Sequence, residues 1–205
     1  MRTIVLASSN KHKIKEFKEM FPNDKVLSLT DINYLDDIEE TGESFLENAL
    51  IKATTIHKYL KSINLEASII ADDSGLCVNI LNGEPGIYSA RYAGGHDNAS
   101  DNRRKLLDNL NNKKDRSAYF NCCLVEYFPN GEYIHVEGKT EGYILDKETG
   151  DKSFGYDCLF YSTDLNKCFG DATMEEKNAV SHRGRAIKQL IDKEREYYGK
   201  RHYNL

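Results

Sequence analysis

Residues 3–21, TIVLASSNKHKIKEFKEMF, contain an apolar run, a short polar turn and a helical repeat in immediate succession. The β-branched run Thr3–Ala7 predicts a buried strand. Ile14 and Phe17 recur at helical spacing after the turn, and Pro22 ends the helix. The stretch therefore predicts strand, polar loop and helix, the unit from which α/β domains are built.

The same alternation continues along the chain. Lys25–Leu29 predicts a second strand, and a long helix begins near Ser44, where Ser-Phe-Leu-Glu has the form of a capping box. One apolar face of this helix carries Phe45, Ala49, Ala53, Ile56 and Leu60. Ala67–Ala71 predicts a central strand that ends in Asp72-Asp73-Ser74-Gly75.

The second half of the chain predicts a hairpin and three further helices. The strands Ala118–Phe128 and Glu132–Leu145 flank a Pro-Asn-Gly turn. Ser100 is predicted to cap one helix, Thr173 opens a capping box for the next, and the last ends near Gly199. Residues 1–205 are therefore expected to form a single α/β domain with a mixed sheet.

Composition and charge argue against several classes of protein. The net charge of −5 argues against a nucleic-acid partner, which favours a basic face. No run approaches the ~20 apolar residues of a membrane span, and the first apolar run is too short for a signal peptide. The number of cysteines, five, is odd, and they lack C-x-x-C spacing, which predicts free thiols. We expect a cytoplasmic protein with no membrane partner.

The first polar segment whose side chains suit ligand binding is the turn after the first strand. Hydroxyl, amide and cationic groups precede a helix here, and helix N-termini bind phosphate. The segment comprises Ser8, Ser9, Asn10, Lys11, His12 and Lys13. The alternative is a capped helix with surface lysines. Neither the P-loop motif nor G-x-G-x-x-G is present, which excludes the two common nucleotide fingerprints.

Two acidic segments predict a metal site. Residues 36–42 crowd four carboxylates before a helix, although a favourable helix-dipole effect explains them equally well. Asp72 and Asp73 follow an apolar strand, where a charge is costly unless it is paired or binds metal. Asp73 with Glu40 suits Mg²⁺, and the alternative is an Asx turn that closes the strand.

Cations and an imidazole crowd the start of the last helix, in residues 177–185. Positive charge is unfavourable at a helix N-terminus. The cluster therefore indicates an anionic or carbonyl-rich ligand, and ordinary surface charge is the alternative.

Six motifs occur in a fixed order from about Ile4 to Leu190. They are S-x-N-x-x-K, E-E-T-G-x-[ST]-F-x-E-N-A, A-D-D-S-G-L, P-G-I-Y-S-A-R-Y-A-G, F-G-Y-D and E-E-K-N-x-x-S-H-R-G. Together they resemble the inosine-triphosphate pyrophosphatase family, which acts on noncanonical purine nucleotides. The ordered set covers nearly the whole chain.

The resemblance implies an elongated mixed β-sheet with flanking helices and two lobes around a central substrate cleft. It implies a homodimer that hydrolyses ITP, dITP and XTP to the nucleoside monophosphate and pyrophosphate with Mg²⁺. Such an enzyme would clear deaminated purines from the nucleotide pool.

The resemblance also implies roles for individual residues. Asp73 is the implied base and, with Glu40, the implied metal ligand, while Lys13 offsets phosphate charge. The remaining substrate-binding positions that the resemblance implies are Ser8, Asn10, Ser74, Phe154, Gly155, Tyr156, Asp157, Lys177, His182 and Arg183. We expect Ser9, Lys11 and His12, which belong to the same polar turn as Ser8 and Asn10, to bind substrate with them.

Two departures from the family pattern affect loops. Ser8-Ser9 stands where members often have Thr-Gly, and Cys158 stands where Pro usually follows F-G-Y-D. Proline would fix φ near −65°, so its absence raises the question of what makes this loop rigid.

Two rival functions share parts of the pattern. A pyrophosphatase of the related septum-inhibition family would have a similar opening, but the segments Phe154–Asp157 and Ser181–Arg183 argue against it. A non-catalytic nucleotide sensor is disfavoured by the presence of both Asp73 and Glu40.

Overall fold

The computed structural model of the protein describes residues 2–95, 98–150 and 154–202. In these ranges seven strands form one sheet: β1 (Thr3–Leu6), β2 (Lys25–Leu27), β3 (Ser68–Val78), β4 (Ser117–Tyr127), β5 (Tyr133–Ile144), β6 (Phe160–Ser162) and β7 (Lys167–Cys168). The α-helices are α1 (Lys11–Met20), α2 (Phe45–Ser62), α3 (Ala99–Asn109), α4 (Met174–Val180) and α5 (His182–His202).

The strand order is β2-β1-β3-β4-β5-β6-β7. Strand β1 pairs in parallel with β2 and β3, whereas β6 is antiparallel to β5 and β7. Backbone hydrogen bonds at both ends of the β4–β5 pair, Ile144 N to Arg116 O and Phe128 N to Glu132 O, show the predicted hairpin. The predicted mixed-sheet α/β fold is confirmed.

The chain divides into two compact units, and β3, β4 and β5 contribute residues to both. Unit 1 comprises Met1–Asp73, Cys123–Glu137 and Ala186–Leu205, and unit 2 comprises Ser74–Cys122 and Gly138–Arg185. Each unit has its own apolar core. In unit 1, four residues of the predicted apolar face of α2 pack on β1 and β3, namely Ala49, Ala53, Ile56 and Leu60, whereas Phe45 is half-buried outside this core. In unit 2, Phe120, Phe160 and Phe169 pack together.

Two of the three predicted helix caps, Ser44 and Thr173, are the N-caps of their helices. Thr173 forms the predicted capping box with Glu176. Ser44 Oγ accepts from Glu47 N, but the Glu47 carboxylate accepts from Glu43 N, so only half of that predicted box forms. The prediction that Ser100 caps α3 is wrong, because Asn98 is the N-cap and accepts from Asp101 N.

Other differences concern element ends. The last helix continues past Gly199 to His202, and the polar connection after β2 contains a 3₁₀ turn at Thr30–Ile32. Strands β6 and β7, too short to show a periodicity, were not predicted. Within the described ranges, none of the helices has the length and apolar character required to cross a bilayer.

Candidate active site

Two adjacent aspartates lie in the middle of β3. The expectation that Asp72 and Asp73 end a strand, and the alternative of an Asx turn, are both wrong, because β3 continues to Val78. Both residues are buried. Because successive strand residues point to opposite faces of a sheet, the two carboxylates meet different helices.

Asp72 pairs with α1. The ammonium of Lys13 lies 2.5 Å from Asp72 Oδ1, and the Asp72 side chain is fully shielded from solvent. A buried carboxylate is tolerated when it is paired in this way. Lys13 is therefore held at the N-terminal end of α1, beside the polar turn that the sequence identified.

Asp73 pairs with α2. Lys52 Nζ lies 3.0 Å from Asp73 Oδ1, 2.9 Å from Glu40 Oε1 and 2.8 Å from the Asp72 carbonyl oxygen. Burial alone would lower the pKa of Lys52, but the charges of Asp73 and Glu40 raise it above its ordinary value. Burial, reinforced by Glu40 and opposed by Lys52, raises the pKa of Asp73. The two predicted metal-site acids thus converge on one cation.

The turn between β1 and α1 is organised by Asn10. Its side-chain oxygen accepts from His12 N at 3.0 Å and Lys13 N at 3.2 Å, and its own N–H donates to Ser8 Oγ at 3.1 Å. The capped-helix alternative is therefore correct for Asn10, and it coexists with an exposed cationic turn. Ser9, Lys11 and His12 are exposed to solvent.

The donor set around Glu40 and Asp73 fits Mg²⁺. Both side chains offer hard carboxylate oxygens, and they already share the ammonium of Lys52. Across the described part of the chain, no group of three or more His, Cys, Asp or Glu side chains is arranged to hold a metal. Mg²⁺ commonly uses one or two carboxylates and takes its other ligands from water and substrate phosphates, so two acids suffice.

In unit 2 the segment Phe154–Asp157 is joined to α4. Lys177 Nζ donates to Asp157 Oδ2 at 2.7 Å and lies 5.7 Å from the centre of the Phe154 ring. Phe154 is half-buried, whereas the Tyr156 side chain lies in the core and donates to Ser89 O. Gly155 has φ of +55°, which favours glycine. The ring of Phe154 and the Asp157–Lys177 pair are thus the polar and aromatic groups that this segment offers.

The start of α5 is closely packed within unit 2. Arg183 is buried and donates from Nη2 to Ser74 Oγ at 3.1 Å, and the His182 ring stacks on Phe120 with centroids 4.8 Å apart. A Cβ on Gly184 would lie 1.9 Å from Asn178 O, so only glycine allows α5 to approach α4 this closely. The surface-charge alternative is therefore wrong for Arg183 and His182, which are buried.

Sequence reasoning missed Lys52, Asn48 and the pairing of Asp72. Asn48 and Lys52 are buried on α2, and both contact Asp73. A signal was available, because Asn48 and Lys52 lie four residues apart and flank the apolar stripe of Ala49 and Ala53. Buried polar residues beside such a stripe need partners, and those partners are the predicted acids.

Comparison with known proteins assigns the chain to a family. The model of the Ham1 family matches residues 4–193. The chain is 49% identical over 197 residues to a dITP/XTP pyrophosphatase of Clostridium perfringens, covering 94% of this chain and 97% of that protein. It is 44% identical to a dITP/XTP pyrophosphatase of Flavobacterium johnsoniae, covering 92% and 96% of the two chains.

Solved structures agree with the sequence comparison. The Ham1 protein of Staphylococcus aureus superposes with a TM-score of 0.81 at 42% identity, over 92% of this chain and 96% of that one. A Ham1 protein of Coxiella burnetii also gives a TM-score of 0.81, at 38% identity over 93% and 96%. The resemblance expected from the ordered motifs is confirmed, and the protein belongs to the Ham1 family.

Proposed function

We propose that this protein hydrolyses deaminated purine nucleoside triphosphates, namely ITP, dITP and XTP, to the nucleoside monophosphate and pyrophosphate. The observation that carries the proposal is the cluster in which Asp73 and Glu40 converge on Lys52 while Lys13 holds Asp72. Paired acids suit a metal ion that binds a polyphosphate, and ammonium groups beside an exposed turn suit its negative charge. The names of the Clostridium perfringens and Flavobacterium johnsoniae relatives support the substrate class.

Asp73 is proposed as the general base. Burial raises its pKa, which makes its carboxylate a stronger proton acceptor than that of a surface aspartate. Asp73 would orient a water molecule and accept its proton. Lys13 would offset negative charge on the phosphates, and the turn of Ser8, Ser9 and Asn10, with Lys11 and His12, would bind phosphate oxygens.

Glu40 and Asp73 are the residues proposed to hold Mg²⁺. When bound, the ion would neutralise triphosphate charge and favour departure of pyrophosphate. Lys52 would hold the two carboxylates beside each other, because its ammonium contacts both of them and the Asp72 carbonyl oxygen.

The residues of unit 2 are proposed to recognise the base and sugar. Phe154 offers an aromatic face, and Lys177 and Arg183 offer only hydrogen-bond donors. Donors satisfy the 6-oxo group of hypoxanthine and xanthine but leave the 6-amino group of adenine without an acceptor. Ser74, Gly155, Tyr156, Asp157 and His182 would shape this part of the site.

We further propose that the whole chain acts as one functional domain, as a homodimer in the cytoplasm. The five cysteines support a reducing compartment, because all are free and buried. Sedimentation of the purified protein tests the dimer.

One assay tests the activity. The protein is incubated with ITP, XTP, dTTP, UTP or ATP, and pyrophosphate release is measured with Mg²⁺ and again with EDTA. We expect release from ITP and XTP that EDTA abolishes. Preference for dTTP or UTP would identify the pyrimidine-directed rival, and binding of ITP without pyrophosphate release would identify a nucleotide sensor.

A further inference from the structure

Asn48 connects Asp73 with the backbone of the segment that carries Glu40 through a single amide group. The side chain is fully buried on the first turn of α2. Its Oδ1 accepts from Gly42 N at 2.8 Å, and its Nδ2 donates to Asp73 Oδ2 at 3.3 Å. A buried amide is costly unless it is hydrogen-bonded, and here both ends of the amide have partners.

The orientation of this amide follows from its partners. The Gly42 N–H can only donate, so the oxygen of Asn48 must face it. The amide nitrogen then faces Asp73, whose carboxylate accepts. Lys52, one helical turn further along α2, donates to the other oxygen of Asp73 at 3.0 Å. The two side chains therefore hold both carboxylate oxygens and prevent the carboxylate from rotating.

The contact with Gly42 extends this restraint to Glu40. A Cβ on Gly42 would lie 2.8 Å from Asn48 Oδ1 and 2.7 Å from Glu47 Cβ, so the segment packs tightly against α2 only because residue 42 is glycine. Glu40 lies two residues before Gly42. The same amide thus restrains the Asp73 carboxylate and the backbone two residues after Glu40.

We propose that Asn48 is a positioning residue that fixes the Asp73 carboxylate and ties it to the Glu40 segment. The inference rests on the proposed function, because it assigns Asn48 a role in the reaction of Asp73. Asn48 acts by holding Asp73 in place and is not itself the base, a metal ligand or a phosphate ligand. It therefore contributes to kcat much more than to the binding of the nucleotide.

The test is Asn48→Asp, measured as kcat and KM for ITP. This change keeps the acceptor for Gly42 N but turns the donor toward Asp73 into an oxygen. We expect kcat to fall about 10–100-fold, the usual effect of losing a partner that orients a functional carboxylate, with KM little changed. Asn48→Ala, which removes both hydrogen bonds without adding charge, should lower kcat similarly.

Asn102→Asp is the matched control. Asn102 is also a buried asparagine near the start of a helix, α3, and it accepts from Ala93 N at 2.7 Å and donates to Ala90 O at 3.1 Å. The substitution makes the same chemical change but touches no carboxylate. We expect both variants to lower the melting temperature, whereas only Asn48→Asp lowers kcat more than about tenfold.

A double-mutant cycle with Asp73→Asn separates a role through Asp73 from an independent one. Asp73→Asn alone should lower kcat by about 10²–10⁴-fold. Adding Asn48→Ala to it should change the residual rate little. Additive losses, or single Asn48 variants with wild-type kcat, would overturn the positioning role. Wild-type activity of Asp73→Asn would instead refute the proposed function of Asp73.

Discussion

At the scale of single residues, the adjacent Asp72 and Asp73 show how two charges are accommodated inside a sheet. Each carboxylate faces a different side of β3 and finds its own lysine, Lys13 at 2.5 Å and Lys52 at 3.0 Å. A buried ion pair is weak evidence for stability, because desolvation offsets the Coulombic gain. We therefore interpret these pairs as functional and test them through activity.

Glu40→Gln tests the proposed metal site. The change preserves shape but removes the charge that shares a cation with Asp73. We expect the Mg²⁺ concentration for half-maximal activity to rise at least about tenfold, a loss seen even for outer-shell partners of metals. Glu39→Gln, at the exposed neighbouring position, is the control. Equal metal titrations for both variants would show that Glu40 serves only its ion pair with Lys52.

Arg183→Ala tests base recognition. Arg183 is buried, donates to Ser74 and can only donate, so it should favour a 6-oxo purine. Sites that hydrogen-bond a substrate group can reject an unmatched analogue by about 10⁴–10⁵. We expect the ITP/ATP ratio of kcat/KM to fall at least about tenfold, a part of that range. Arg185→Ala, which removes solvent-exposed hydrogen bonds to Asp164 and to the Lys139 carbonyl oxygen, should leave the ratio unchanged.

The outcome for ATP decides the interpretation of Arg183. If kcat/KM falls equally for ITP and ATP, Arg183 contacts phosphate or supports the fold, and other residues recognise the base. His182→Ala should lower the ITP/ATP ratio of kcat/KM less than Arg183→Ala does, because an imidazole can accept as well as donate hydrogen bonds. It should also lower the free energy of unfolding by more than the about 0.5–1.5 kcal/mol that stacking on Phe120 contributes, because the buried ring is lost as well.

At the scale of elements, the loop Phe154–Asp157 is held from several sides without the usual proline. Arg103 on α3 donates from Nη1 to Gly155 O at 3.0 Å and from Nε to Glu148 Oε1 at 2.7 Å. Cys168 Sγ lies 3.2 Å from Asp157 O, and Thr149 N donates to Cys158 O at 2.8 Å. These tertiary contacts restrain the loop where Cys158 replaces the proline of the family.

Arg103→Ala tests this account of the loop. Hydrogen bonds to charged groups contribute about 1.5–3 kcal/mol, so we expect a loss of unfolding free energy in that range and a higher KM for ITP. Urea denaturation and steady-state kinetics measure the two effects. The neighbouring Arg104, with a side chain 70% exposed, is the control and should contribute about 0–1 kcal/mol. Similar losses for both arginines would contradict the account.

At the scale of the whole molecule, an ion cluster joins distant segments of unit 1. Arg2 contacts Asp24 before β2, Glu126 on β4 and Glu194 on α5, at distances from 2.8 to 3.2 Å. Three carboxylates face one guanidinium. Burial, together with the neighbouring Glu194, raises the pKa of Glu126 to about 9 from an ordinary value of 4.5. Burial and Glu194 therefore favour the protonated form of Glu126 in the folded protein.

The cluster makes stability depend on pH. The pKa of Glu126 is higher in the folded than in the unfolded protein, so proton binding by Glu126 stabilises the fold. This stabilisation is complete below pH 4.5 and is lost as pH rises toward 9. Where the folded state binds one more proton than the unfolded state, the free energy of unfolding falls by about 1.4 kcal/mol per pH unit. Glu126→Gln, which mimics the protonated side chain, should flatten this slope and exceed wild-type stability near the upper end of the range.

Urea denaturation at several pH values checks the prediction. Glu137→Gln, at an exposed position of β5, is the control and should follow the wild-type curve. A Glu126→Gln curve parallel to that of the wild type would show that Glu126 is ionised in the folded protein.

The amino-acid sequence by itself determined the local elements and the family. Local sequence patterns predicted the strand, turn and helix at residues 3–21, the capping box of Thr173 and the Pro-Asn-Gly turn that joins β4 and β5. The ordered motifs identified the family because six separate patterns rarely coincide. The same motifs supplied most of the residues that we propose for the site.

Tertiary structure alone decided the course of the chain through Asp72 and Asp73 and the partners of both acids. Local propensity favours a turn at Asp-Asp-Ser-Gly, because Asp and Gly suit turns and buried charge is costly. The cost is offset by Lys13 and Lys52, which lie 59 and 21 residues away in sequence from the aspartates they bind. Only the folded chain brings these ammonium groups to the sheet, and for that reason β3 continues as a strand where the sequence predicted its end.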